Sequence, residues 1–422
     1  MNHSPRTRTV TGCCLLVLAL VGTATACGSD DSLSSAPYDA AAQLSFGGIK
    51  KGADADPDKP LEISSKSGEG RITDVTAVDA TGRYLPGRLS DDGSRWHSTA
   101  PLASGAHYTL RVSTENSDGA PGRKVVSFAT ANPRHKNVLK VEFGPKKGEY
   151  GVGQPITAKL SSPVKDKAAR AVVERALSVQ SRPAAEGSWY WVSSRELHYR
   201  PRAYWPAHAT IEVRSGLKGI KIGGGMWGGD SNPLRITTGD KIEAVTDASS
   251  HRMTVYRNGE EINDLPVTTG KPGFETRNGV KVVLGKEAFV RMRSSTVGIA
   301  AGSGDSYDLP VHWATRVTWS GEYVHAAPWS VGSQGSANTS HGCTGMSTDD
   351  AEWFFNTVHV GDIVKVVGSD GDEMTPFDNG FGDWNLSWPK WRQGSAVTGS
   401  GTNDTGSDAV PSVQAARLRP QV

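Results

Sequence analysis

Short stretches in which apolar and polar positions alternate recur along this chain, each bounded by glycine-rich or polar residues. Leu61-Glu62-Ile63, Arg71-Ile72-Thr73-Asp74-Val75-Thr76-Ala77-Val78 and Tyr108-Thr109-Leu110-Arg111-Val112 are of this kind. A period of two places the apolar side chains on one face, as in half-buried strands, and the spacing of the turns fits a small β-sandwich. The pattern then repeats. His107-Tyr108-Thr109-Leu110-Arg111-Val112-Ser113 lines up with His208-Ala209-Thr210-Ile211-Glu212-Val213-Arg214-Ser215. Each copy is followed by a closing strand, Ser127-Phe128-Ala129-Thr130 and Arg235-Ile236-Thr237-Thr238. Two tandem sandwiches are predicted, at 46–132 and 137–239, joined at Pro133-Arg134-His135-Lys136. The second holds a helix over Ala168 to Leu177, and its Trp189, Trp191 and Trp205 are assigned to packing.

From Asp240 the strands lengthen into a third unit, 240–368. Arg252–Arg257 leads through Asn258-Gly259 into Glu260-Glu261-Ile262-Asn263, a hairpin signal. Further strands are predicted at Val280–Leu284, Phe289–Met292, Arg316–Trp319, Tyr323–His325 and Asp362–Val367, with a helix over Asp349–Val358 capped by Ser347 or Thr348. Residues 369–396 carry Trp384, Trp388 and Trp391 and are too apolar to hang free, so they are expected to pack back on the preceding domain as a lid or brace. The Gly/Ser/Thr-rich stretch 397–422 is expected to be disordered.

Composition agrees with a mainly β protein: 49 glycines, 23 prolines and 12 tryptophans in 422 residues. With 46 basic and 44 acidic residues the net charge is +2, and no polybasic face stands out, which argues against nucleic acid as a partner. The N-terminus changes the picture more. Arg6 and Arg8 precede a short apolar core, Cys13 to Val21, and then Ala24-Thr25-Ala26-Cys27 and a polar run. This is a secretory address and not a fold. Small residues before Cys27 resemble a bacterial lipobox, although Ala24 stands where leucine is usual. The expectation is a signal peptide at 1–26, lipid on Cys27, a tether at 27–45 and residence on the outer face of the cell membrane.

Removal of Cys13 and Cys14 with the signal, and lipid on Cys27, would leave Cys343 as the lone thiol in an oxidising compartment, where its retention calls for a reason: catalysis is the common one, a buried structural cysteine the alternative. It lies in Ser340-His341-Gly342-Cys343, with His325 upstream at the end of a strand-like run. An imidazole that accepts the thiol proton makes a thiolate nucleophile. On an extended backbone His341 shares a face with Cys343. Gly342 leaves room for a carbonyl to reach the N–H groups of Gly342, Cys343 or Thr344, donors suited to an oxyanion. A metal site from His325, His341 and Cys343 lacks a fourth ligand at zinc-type spacing, so none is assigned, and no cofactor is implied.

These residues resemble the signature of the L,D-transpeptidases of the YkuD type, in which a histidine precedes a Ser/Thr-His-Gly-Cys motif. The likeness runs from Asp240 to Ala396 and includes Gly270-Lys271-Pro272, Thr276-Arg277-Asn278-Gly279 and His325-Ala326-Ala327-Pro328-Trp329-Ser330. The tandem sandwiches, here Ig-like, the lipobox and the Trp-rich C-terminal subdomain are similar to the actinobacterial and mycobacterial branch. The resemblance implies a β-rich catalytic domain with a short helix and an acyltransferase acting on peptidoglycan. Cys343 would attack the bond between diaminopimelate and the terminal D-alanine of a tetrapeptide stem, and a neighbouring stem's amine would resolve the thioester into a 3→3 bridge. It also implies His325 as base, His341 and Gly342 lining the acyl site, and Tyr307, Met292, Ser340 and Trp329 in the substrate cleft. Acylation by carbapenems and insensitivity to most penicillins follow from the same likeness. Two departures stand out: Gly345 replaces the family's asparagine, leaving Thr344 as a possible substitute, and Ala326 replaces a common serine. The alternatives are a thiol L,D-carboxypeptidase, in which water resolves the thioester, and a catalytically weakened wall-binding lipoprotein.

Overall fold

The computed structural model describes residues 37–397 except 51, 67–69, 133–136 and 299–301. The signal peptide, Cys27, the joint at 133–136 and nearly all of the C-terminal tail therefore lie outside the described residues. Among the described residues no helix is long and apolar enough to cross a membrane.

The structure is mainly β. In the first sandwich one sheet orders Tyr38–Asp39, Pro121–Ala129, His107–Glu115 and Arg71–Asp79, and the other orders Leu44–Gly47, Glu62–Ser65, Arg95–Ser98 and Gly87–Leu89. The expected tether is thus folded from residue 37 onward, which corrects the boundary at 46. The reason is apolar: Ala40 and Leu44 are buried in this core beside Leu61, Ile63 and Trp96.

The second sandwich repeats the first in detail. Its sheet Glu149–Tyr150, Leu234–Thr238, Thr210–Ser215, Leu177–Arg182 has the same plan as the first sheet above. In each, the two repeated strands pair antiparallel and a two-residue strand runs parallel to the closing strand. The helix forms at Lys167–Ala176, where the Asp166 side chain accepts the Ala169 N–H at 2.8 Å. Trp189, Trp191 and Trp205 are buried in the core.

The third unit is built from two sheets. Five strands order as Glu260–Pro266, Arg252–Arg257, Ile242–Asp247, Ile363–Val367 and Gly279–Val282, and four as Gly285–Arg293, Asp308–Arg316, Tyr323–Ala326 and Thr344–Met346. Val255, Val283, Val324, Met346 and Phe354 share one core that draws on both sheets. Asn258 and Gly259 both have positive φ, as the Asn-Gly hairpin requires. The helix Thr348–Thr357 starts at Ser347, whose hydroxyl accepts the Asp350 N–H at 3.1 Å. One expected strand is displaced: Arg316–Trp319 is the end of Asp308–Arg316 and the turn after it. Pro310 and the positive φ of Trp313 break the alternation that would have revealed the longer strand.

The C-terminal segment is set against the second sandwich. The Arg200 guanidinium lies 4.6 Å from the Trp391 ring and 4.9 Å from that of Trp384. The Trp384 indole N–H donates to the Gly153 carbonyl at 2.8 Å, and that of Trp391 to the Ser188 carbonyl at 2.9 Å. His198 Nδ1 meets Asp383 Oδ1 at 2.7 Å, both side chains buried. No residue of this segment lines the cavity beside Cys343.

Candidate active site

Cys343 immediately precedes the short strand Thr344–Met346, which pairs in parallel with Tyr323–Ala326 in the register Val324↔Thr344, His325↔Gly345 and Ala326↔Met346. Two adjacent strands thus carry the thiol and the imidazole to one end of the sheet. Both line a single cavity of about 230 Å³. Its other walls are mostly apolar: Met292 and Leu309, cross-strand partners, with Val311, Tyr307 and Trp329.

His325 is buried, and its Nδ1 lies 2.8 Å from the Ala326 carbonyl oxygen. A carbonyl only accepts, so Nδ1 carries the proton and Nε2 keeps the lone pair that a general base needs. The acceptor belongs to the main chain, so alanine in place of serine at 326 leaves it intact. Burial pushes the imidazole below its ordinary value of 6.5, with the Ala326 hydrogen bond opposing. Burial pushes the Cys343 thiol up to about 11; Glu322 adds to the rise, while the Tyr323 N–H and Lys281 oppose it. The site therefore rests as a thiol beside a neutral imidazole. The sulfur is part-buried and donates to the Gly321 carbonyl at 3.6 Å.

The turn that presents the thiol is fastened by hydroxyls. Ser340 Oγ accepts the Gly342 N–H at 3.1 Å and donates to the Cys343 carbonyl at 2.6 Å. Gly342 adopts φ +112°, which favours glycine, and its carbonyl accepts from Thr276 Oγ1 at 2.9 Å. Lys271 N–H donates to the Ser340 carbonyl, and Ser340 N–H to that of Thr269. The Gly270-Lys271-Pro272 and Thr276-Arg277-Asn278-Gly279 stretches are thus the scaffold of the turn that presents Cys343. His341 stacks edge-on against Phe274 at 4.7 Å and tilts against Tyr307 at 5.2 Å, with Nε2 3.5 Å from Asp305 Oδ1.

Met292, Tyr307, Trp329, Ser340 and His341 line the cavity. Gly342 instead lines an adjoining cavity of about 320 Å³, also reached by Tyr307 and His341. Thr344 lines neither cavity. Side chains alternate along a strand, so with Cys343 and Gly345 on the cavity side Thr344 is buried behind them. Its hydroxyl therefore does not replace the missing asparagine. At Gly345 a Cβ would stand 3.0 Å from Ala327 Cβ and 3.1 Å from Thr268 Cγ2, so any side chain must displace a neighbour.

Several site residues escaped the sequence. Thr268 exchanges backbone hydrogen bonds with Gly345 at 2.9 and 2.8 Å, and its hydroxyl accepts the Thr339 N–H. Leu309 and Val311 lie on the strand that Pro310 concealed. Lys281, a lone charge in the apolar run Val280-Lys281-Val282-Val283, was the readable signal of a buried charge.

Comparison with known proteins places these features. The model of the L,D-transpeptidase catalytic domain matches residues 241–366, and that of a bacterial Ig domain matches residues 52–221. L,D-transpeptidase 2 of Mycobacterium tuberculosis is 37% identical over 340 residues, 80% of this chain and 81% of that protein. L,D-transpeptidase 5 of the same species is 31% identical over 365 residues, 85% of this chain and 78% of that protein. Among solved structures, an LD transpeptidase in complex with imipenem is 39% identical, covering 54% of this chain and 99% of that one with a TM-score of 0.47. The chain belongs to the L,D-transpeptidase family of enzymes.

Proposed function

We propose that this enzyme forms 3→3 cross-links in peptidoglycan through a thioester on Cys343. The observation that carries the reading is the shared cavity: the thiol and an imidazole whose Nε2 is left basic meet in one mostly apolar space. His325 Nε2 takes the thiol proton as sulfur attacks the carbonyl between diaminopimelate and D-alanine. The Cys343 N–H is the nearest candidate donor for the oxyanion, since Gly342 N–H is engaged by Ser340. The C–N bond breaks, D-alanine leaves with the proton returned by His325, and a thioester remains. The side-chain amine of a second stem then attacks, and the new amide forms as the thiol is restored. A mostly apolar lining favours the amine over hydrolysis. Acylation by carbapenems is supported by the 39% identical relative in complex with imipenem. Lipid on Cys27 would hold the enzyme at the outer face of the membrane, with the sandwiches as a stalk. Loss of a palmitate-analogue label in Cys27→Ser tests that anchor.

The test of the chemistry is product mass. Purified enzyme given stem tetrapeptide should release D-alanine, show an acyl adduct on Cys343 and yield a 3→3 dimer. Cys343→Ala should lower this by about three orders of magnitude or more at unchanged melting temperature. Undiminished cross-linking by Cys343→Ala overturns the mechanism, and tripeptide without dimer overturns the cross-linking half in favour of hydrolysis.

A further inference from the structure

Outside the cavity that His325 and Cys343 share lies a cluster of charges that the acyl-transfer steps above do not use; two of its members, Arg277 and Glu322, line the adjoining cavity that Gly342 borders. Lys281 sits in the strand Gly279–Val282 with its side chain 1% exposed, and its Nζ is 2.6 Å from Glu322 Oε2. The other carboxylate oxygen, Oε1, accepts from the Arg277 N–H and from the Arg277 guanidinium, both at 3.1 Å. Glu322 lies between the two residues that touch the sulfur through their main chain: Gly321, whose carbonyl accepts from Sγ, and Tyr323, whose N–H points to it. Neither Lys281 Nζ nor Glu322 Oε2 has a well-aligned hydrogen-bond partner among the described residues, so charge rather than bonding geometry holds this pair.

Burying two charges costs desolvation that their attraction barely offsets, so stability alone does not account for such a pair. The count of charges suggests what does. Two cations face one carboxylate while Cys343 is a thiol, and the cluster becomes neutral only when Cys343 is a thiolate. We propose that Lys281 and Glu322, with Arg277 as the second cation, are positioning residues that hold a compensating positive charge near the Cys343 sulfur and thereby govern how readily it ionises. The proposal rests on Cys343 being the nucleophile, and it deepens that reading by assigning its electrostatic support.

Other groups face the sulfur as well. Tyr323 and Tyr307 stay neutral phenols, each raised by burial. His325 is held neutral by its burial. His341 is paired with Asp305, which Lys271 also binds at 2.7 Å. Burial and Arg277 pull the Lys281 ammonium below its ordinary value, and Glu322 opposes them; as the ammonium, Lys281 is the cation here whose field acts through low-dielectric surroundings rather than water. On the sulfur the two oppose each other: Glu322 pushes the thiol up, and Lys281, by a smaller amount, draws it down.

The test is the rate of Cys343 alkylation by iodoacetamide against pH, read on the full chain beside its melting temperature. Lys281→Met leaves Arg277 to balance Glu322 and no cation to balance a thiolate, so the ionisation midpoint should rise by about one unit and alkylation at fixed pH below it should slow about tenfold. Lys281→Met/Glu322→Gln should return to within about threefold of wild type. Arg277→Gln changes a part-exposed side chain, should fold, and should raise the midpoint by less than Lys281→Met; it carries the test if Lys281→Met fails to fold. Midpoints unmoved in the folded variants, or a double variant no faster than Lys281→Met, overturn the proposal. Iodoacetamide reports ionisation whether or not a stem peptide ever reacts. Failure of the nucleophile reading would appear instead as cross-linking retained by Cys343→Ala.

Discussion

Two buried ion pairs of this molecule look alike on paper and do different things. His198–Asp383 joins the second sandwich to the C-terminal segment, and Lys281–Glu322 lies beside the main chain that touches the Cys343 sulfur. The first is an aligned hydrogen bond between residues far apart in sequence, walled by Phe377 and Phe381. The second has no aligned hydrogen bond and stands one residue from the peptide that holds the thiol. An aligned pair between distant segments fixes their arrangement. A close but poorly aligned pair beside the thiol contributes its field.

The most severe way to break that comparison is Asp383→Ala. It leaves His198 buried without its carboxylate and should cost about 3–5 kcal/mol in chemical denaturation. The ionisation midpoint of Cys343 in the folded protein should stay where it is. A midpoint shift as large as that of Lys281→Met would erase the distinction between the two pairs.

Next in size is a pH effect confined to the seam. Burial would lower the imidazole of His198, but Asp383 and Glu196 outweigh it and raise it from 6.5 to about 9. The folded value lies above the unfolded one, so the stabilisation is complete below about 6.5 and is lost as pH rises through about 9. Its size is of the order of 3 kcal/mol. Unfolding free energies measured at pH 6 and pH 10 should differ by that order, and His198→Gln should flatten the difference.

The smallest effect belongs to the cavity side of the nucleophile, where packing and not charge is at stake. Gly345→Asn restores the family's usual residue into a place already filled by Ala327 and Thr268. It should cost about 1–3 kcal/mol by overpacking, read as a lower melting temperature, with the Cys343 midpoint unmoved. A gain in turnover with no loss of stability would show that the cleft has more freedom than these contacts allow.

Local signals were legible wherever a short stretch decides its own conformation. The Asn258-Gly259 turn, the Ser347 cap and the repeat of His107–Ser113 at His208–Ser215 each rest on neighbours in sequence. The strand Asp308–Arg316 was not legible, because Pro310 interrupts its pattern and only pairing with Gly285–Arg293 makes it a strand. The fold of residues 37–45 was hidden for a similar reason. Ala40 and Leu44 look unremarkable in a Ser/Ala-rich run until a core exists for them to enter.

By itself the sequence determined the β architecture and the tandem repeat, and it singled out Cys343 and His325 as the pair to look for, because periodicity, turn chemistry and motif spacing are written in adjacent residues. Only the tertiary structure decided which face Thr344 turns away from the cavity, that the Ala326 carbonyl fixes the tautomer of His325, and that Lys281 meets Glu322 near the sulfur. Those outcomes depend on strand register and on burial, and a charge acquires its meaning only from what is packed around it.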